Sequence, residues 1–305
     1  MRHAKICLAW LYAITKYGYP TPVDGMVKAF EDAARLGFKY VEIEAVGEAN
    51  LQEIESRRSE LRKTLDALGL EVVNFAGIFR ELVSPVEAER AKAIELLARA
   101  ADLAVYFGAE LMQTDTFTPP LEFVGLRPYS SAVVFGERYR VKVDPSFSWR
   151  RFWSIVVDGM RRAAKVAADR GLKLAVEPRI GETISNSDAM LRLIDEVGEA
   201  NFGAVLDVGH LHAAKELIPL SVEKLADRIF YVHASDNDGR DNYHWAPGRG
   251  TVDWDGLFEA LRKHRFSGPM AVDVGGPDLR GRLDEEVLEA KRFLEAMVER
   301  HLSSG

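Results

Sequence analysis

Four stretches in the second half of the chain decide the fold: LKLAVEP (172–178), FGAVLDV (202–208), IFYVHAS (229–235) and PMAVDV (269–274). Each is a short, nearly unbroken apolar run, the pattern of a parallel strand covered on both faces. Each also carries, at or near its end, a side chain that apolar surroundings do not tolerate without a partner: Glu177, Asp207, His233 and Asp273. Working back towards the N-terminus, similar runs stand at AKICLAW (4–10), YVEIEA (40–45), LEVVNFAG (70–77) and ELMQTDTF (110–117).

Between the runs lie segments of helical period. VDGMVKAFEDAARLG places Met26, Val27, Phe30, Ala33 and Ala34 on one face, with Gly37 as a stop. Ser84-Pro85-Val86-Glu87 reads as an N-cap, a proline at the first helical position and a glutamate at the third. SWRRFWSIVVDGMRRAAKVAADRG ends in the same manner at Gly171. Eight strand–helix units predict an α/β fold, a single (β/α)₈ TIM barrel over residues 1–305. The competing architecture is an open doubly wound sheet, but no GxGxxG follows the first strand.

One interval breaks the rhythm. Residues 118–147 separate the fourth strand from its helix, and SAVVFGERYRVKV alternates apolar and polar residues about Gly136, which predicts a hairpin. In a barrel this insertion stands at the catalytic face, where it either covers the mouth or makes an oligomer contact.

The chain's 305 residues suit one closed barrel, and its formal net charge of −7 argues against nucleic acid as the main partner. The lone Cys7 excludes an internal disulfide, and no apolar run is long enough to span a bilayer. The N-terminus MRHAKICLAW enters a strand at once rather than forming a secretory leader, so a cytoplasmic protein is expected.

The C-terminal ends of barrel strands converge on one site. Glu177, Asp207, His233 and Asp273 together would make an oxygen-rich pocket with one nitrogen ligand, suited to one divalent metal ion: Mn²⁺, Mg²⁺, Co²⁺ or Zn²⁺. The plain alternative is a salt-bridge ring with Arg or Lys from nearby loops. His210, three residues after Asp207, could be a further ligand, a hydrogen-bond donor to substrate or a proton carrier. His244, in RDNYHWAPGRG, is a further candidate substrate contact, whereas His212 reads as structural.

EP at 177–178, LDVGH at 206–210, YVHASDN at 231–237 and HWAPGRGTVDW at 244–254 resemble the xylose isomerase-like TIM-barrel superfamily. Within it they are similar to the sugar phosphate isomerase/epimerase branch, which includes ketose 3-epimerases and inosose-processing enzymes; endonuclease IV is a distant relative. The resemblance implies metal ligands Glu177, Asp207, His233 and Asp273, and proton carriers Glu177 and Asp273 on opposite faces of the sugar. It also implies substrate contacts at His210, Glu182 and Arg240. The epimerases carry Glu on both the fifth and the eighth strand. Asp273 is one methylene shorter, which leaves isomerase or dehydratase chemistry open beside two-base epimerisation.

Three functions follow as expectations. The first is metal-dependent isomerisation or epimerisation of a sugar, sugar phosphate or polyol through an enediolate-type proton transfer, with a carboxylate such as Glu177 moving the proton. The second is an inosose-type dehydratase sharing the first steps. The third, a phosphodiesterase resembling endonuclease IV, needs further histidines. The third and fourth strands offer Asn74 and Gln113–Thr114–Asp115 instead, and Asn242 stands where a loop Asp is required. A small-molecule sugar or polyol is therefore the expected partner, with no nucleic acid and no membrane. The oligomeric state, a homo-oligomer included, stays open.

Overall fold

The computed structural model describes residues 4–129 and 139–302. Its strands, in chain order, begin with β1 (Ile6–Leu8), β2 (Tyr40–Val46), β3 (Glu71–Ile78) and β4 (Leu111–Thr114). Two short strands follow, β5 (Glu122–Phe123) and β6 (Val141–Lys142). The rest are β7 (Lys173–Val176), β8 (Phe202–Asp207), β9 (Ile229–Ala234) and β10 (Met270–Val272). All but β5 and β6 form a closed parallel barrel in which β10 pairs back onto β1. Each barrel strand coincides with one of the eight apolar runs, β2 and β3 each extending one residue past it.

The barrel interior is packed. Cys7, Val73, Leu111, Val205, Tyr231 and Ala271 form a buried layer beneath the strand ends, and the Cys7 thiol lies 2.5 Å from the Tyr231 hydroxyl. Outside, helices lay apolar stripes on the strands. Helix Val23–Arg35 buries Met26, Phe30 and Ala33 as its period predicts, while Val27 and Ala34 sit at the edge of that stripe, half-buried. Helix Trp149–Ala168 buries Phe152, Val156, Met160, Ala163 and Ala167. Ser148 caps it, its hydroxyl accepting from the Arg151 amide at 3.4 Å.

One expected cap is displaced. The helix after β3 runs Glu87–Phe107, starting two residues beyond Pro85. Ser84 Oγ accepts from the Val86 amide at 3.1 Å and donates to Glu89 at 2.5 Å, but the helix N-cap is Val86, which no side chain caps. Glu87 is drawn outward to Arg162 at 2.8 Å.

In the insertion, β5 and β6 pair antiparallel over two residues each. The alternation around Gly136 falls largely on residues 130–138, outside the described residues. Among the described residues no helix is long and apolar enough to cross a membrane.

Candidate functional site

Parallel strands bring Glu177, just past β7, Asp207, the last residue of β8, His233 on β9 and Asp273, just past β10, to one end of the barrel. Asp207 and His233 are register partners across β8 and β9. Ligand atoms of Glu177, Asp207 and His233 lie within 4.8 Å of one another, and so do those of Asp207, His244 and Asp273. Asp207 belongs to both sets. Its Oδ1 accepts from the His210 amide at 2.7 Å, capping helix Val208–Ala213. Its Oδ2 is buried with no hydrogen-bond partner among the described residues and lies 4.0 Å from His233 Nδ1.

A buried, partnerless carboxylate oxygen is costly, and here it faces an imidazole and another carboxylate. The electrostatics show the same tension. Burial, reinforced by Glu177, pushes the Asp207 carboxyl well up. Burial also pushes Glu177 up, but His233 beside it outweighs this and holds that carboxyl well below the usual range. Adjacent carboxylates resist joint ionisation unless a cation stands between them. The donor set thus fits a divalent ion. Among the described residues none of the four side chains is ion-paired to Arg or Lys; their charged partners are histidines and Glu42.

His233 is held from behind. Its Nε2 lies 3.1 Å from Glu42 Oε1, leaving Nδ1 facing Glu177 at 3.4 Å. Glu42 also accepts from the Trp10 amide at 2.7 Å and from Asn74 Nδ2 at 3.2 Å. Asn74 donates to Gln113 Oε1 at 2.9 Å, and Gln113 donates to Glu177 Oε2 at 2.7 Å. Asn74 and Gln113 thus orient the acids from β3 and β4.

Glu177, His233, Asp273, Glu42 and Gln113 line a cavity walled also by Trp10, Tyr19, Glu44, Asp115, Tyr129 and Arg179. His210 and His244 line it, their rings edge to face at 5.4 Å. His210 Nδ1 accepts from the Ile180 amide at 3.4 Å, and burial lowers its pKa to about 3, so the ring is neutral with Nε2–H free to donate. A Cβ at Gly209 would collide with Ser235 Oγ, which explains the glycine in LDVGH. His244 adopts a left-handed backbone, φ +50°. Its Nδ1 lies 2.9 Å from Asp273 Oδ2 and its Nε2 lies 2.8 Å from Asn242 Nδ2. The HWAPGRGTVDW loop is latched by Asp236, whose buried carboxylate accepts from the Gly248 amide at 2.9 Å, the Val252 amide at 3.2 Å and Trp254 Nε1 at 2.9 Å.

The other two expected contacts lie elsewhere. Glu182 is in an adjoining recess, accepting from the Thr116 and Phe117 amides at 3.2 and 3.0 Å and from Arg179. Arg240 is exposed and does not line the cavity, because Asp238 folds that loop back by accepting the Arg240 amide at 2.8 Å. His212 points away, its Nε2 at 2.9 Å from Thr251 Oγ1.

Sequence reasoning missed Glu42, Glu44, Asp115, Arg179 and Tyr129. The alternation in YVEIEA could have found the first two, since a strand's period of two puts Glu42 and Glu44 on one face. Arg179 bonds Asp115 at 2.6 Å and stacks on the Tyr129 ring at 4.2 Å. Tyr129, from the insertion, donates to the Ile180 carbonyl at 2.7 Å. Residues 118–129 therefore reach the mouth.

A family model described as xylose isomerase-like TIM barrel matches residues 30–297. The chain is 21% identical over 159 residues to an inosose dehydratase of Clostridium beijerinckii, covering 47% of this chain and 53% of that protein. It thus spans about half the length of that curated relative. Among solved structures, D-allulose 3-epimerase from Methylomonas sp. superposes with a TM-score of 0.72 at 21% identity, covering 97% of this chain and 99% of that one. IolI with a bound zinc atom gives a TM-score of 0.71 at 17% identity, covering 98% and 99%.

Proposed function

This chain belongs to the xylose isomerase-like TIM barrel family, and on that premise we propose that it is a divalent-metal-dependent isomerase or epimerase of a keto sugar or polyol. The observation that carries the reading is that Glu177 and His233 on one side, and Asp273 and His244 on the other, group around Asp207, whose Oδ2 is buried and partnerless. Glu177, Asp207, His233 and Asp273 would hold the ion. When bound, a divalent ion supplies Lewis-acid polarisation of a carbonyl and its neighbouring hydroxyl. The choice among Mn²⁺, Mg²⁺, Co²⁺ and Zn²⁺ rests with the oxygen-rich donor set and its single imidazole.

The chain's own groups do the rest. Glu177, oriented by Gln113, takes the proton from the carbon beside the carbonyl. His210, neutral, donates from Nε2 to a substrate oxygen. Glu177 then returns that proton to the neighbouring carbon, and Asp273, backed by His244, is the second carboxylate of the site, held ionised.

A second reading, dehydration of a keto-polyol, shares the abstraction by Glu177. The carbon–oxygen bond one position further then breaks, and the hydroxyl leaves as water with the proton that Glu177 removed. The name of the Clostridium relative and the shorter reach of Asp273 support it.

The test is solvent-deuterium incorporation beside the carbonyl of keto sugars and keto-inositols, followed by NMR. Chelator-stripped protein should not exchange, and adding back Mn²⁺, Co²⁺, Mg²⁺ or Zn²⁺ should restore exchange with at least one of them. Equal exchange with and without metal would contradict the proposal.

A further inference from the structure

The cavity wall beyond the acids and imidazoles holds three polar atoms that nothing in the mechanism uses. Glu44 Oε1, Asp115 Oδ1 and Arg179 Nε are each buried without a hydrogen-bond partner among the described residues, and all three side chains line the same cavity. Glu44 lies two residues past Glu42 on β2, hence on the same face and nearer the mouth. Its register neighbour on β3 is Ala76, whose neighbour on β4 is Gln113. A methyl group beside Glu44 leaves open the space its carboxylate faces.

Arg179 is fixed rather than mobile. One Nη2 serves both Asp115 and Glu182, and the guanidinium stacks on Tyr129 at 4.2 Å. Its Nε–H remains to be satisfied, as do one oxygen of Asp115 and one of Glu44. Two acceptors and one donor on one wall match groups that both donate and accept, which is the chemistry of hydroxyls. They do not match an anion: Asp115 and Glu182 already neutralise Arg179, and Glu44 adds a third acid.

Resting on the functional reading above, we infer that Glu44, Asp115 and Arg179 form a hydroxyl-binding subsite that selects an uncharged polyol or keto-polyol over its phosphorylated form. The substrate's hydroxyls remote from the reacting carbon donate to Glu44 and Asp115 and accept from Arg179 Nε. A phosphate placed there meets two acids and a guanidinium that is already paired, so it finds no free positive charge. The adjoining recess carries Arg80, Arg127 and Arg179 against Glu81, Asp115 and Glu182, so its formal charges balance and it offers an anion no net positive field.

Binding to the Mn²⁺-loaded full chain, read by calorimetry with D-fructose, scyllo-inosose, myo-inositol and D-fructose 6-phosphate, tests this. At least one neutral probe should bind, and D-fructose 6-phosphate should bind roughly tenfold more weakly than D-fructose. Glu44→Ala should weaken the neutral probes by about tenfold with the metal content unchanged, and Glu44→Gln/Asp115→Asn should narrow the gap between D-fructose and its phosphate. Tighter binding of the phosphate by the wild type, unchanged binding of every probe by Glu44→Ala, or no binding of any neutral probe overturns the inference. Deuterium exchange separates the two proposals. Selective binding without exchange on any carbonyl probe leaves the subsite standing and removes the enzymatic reading, whereas exchange with Glu44→Ala indistinguishable from wild type in Kd and KM removes the subsite alone.

Discussion

His244 Nδ1 lies 2.9 Å from Asp273 Oδ2 and 3.1 Å from the Asp273 backbone carbonyl, so the acid of the eighth barrel strand is gripped by the loop that precedes that strand. Burial pushes the Asp273 carboxyl up, yet His244, and after it His233, turn the net shift downward. Replacing His244 with Gln keeps a polar side chain and removes the imidazole beside the carboxyl. The acid limb of the kcat/KM profile should then move to higher pH, because Asp273 becomes easier to protonate. An unmoved acid limb would show that Asp273 ionisation does not limit the reaction.

Glu42 governs metal affinity from behind His233. Because its Oε1 faces His233 Nε2 at 3.1 Å, it fixes which imidazole nitrogen is presented to Glu177 and Asp207. Glu42→Gln should lower affinity for the ion by roughly 10–100-fold, the usual effect of removing the partner of a ligating histidine. Asp207→Ala and His233→Ala, which remove ligands outright, should lose at least that much. Metal titration of the refolded, chelator-treated proteins measures all three. Wild-type affinity in Glu42→Gln would show that the ring orientation is set elsewhere.

Much of this was legible in the sequence. Eight apolar runs become the eight barrel strands because parallel strands need that composition, and the polar residues at their ends mark the open face. The helix at Glu87 starts late because Ser84 turns its hydroxyl to Glu89, a choice among nearby glutamates that spacing does not settle. The family resemblance alone implies a substrate contact at Arg240, but the Asp238 turn leaves its side chain exposed. The wall formed by Glu44, Asp115 and Arg179 joins residues from three separate strand ends, and only their convergence reveals it.

Glu44 also makes a stability signature. Burial raises its pKa to about 8, with Arg179 opposing and Glu42 and Glu177 adding to the rise. The unfolded chain releases this proton near pH ~4.3, so the protonated carboxyl's stabilisation is full below that pH and is lost as pH rises towards 8. Glu44→Gln should remove this slope. In metal-free protein its Tm relative to wild type should increase steadily from pH 5 to about 8. Parallel Tm curves would show that Glu44 ionises normally in the folded state.

The most direct measurement is solvent-deuterium exchange by Glu177→Gln with its metal content determined on the same sample. The amide keeps an oxygen for the ion but cannot take a proton. Exchange beside the substrate carbonyl should therefore fall by roughly 10²–10⁴-fold, the scale of lost general-base catalysis, even where the ion remains bound. Exchange at the wild-type rate with metal bound would contradict the account. Glu177 would then be a ligand only, and the proton would move through Asp273 or another group of the cavity.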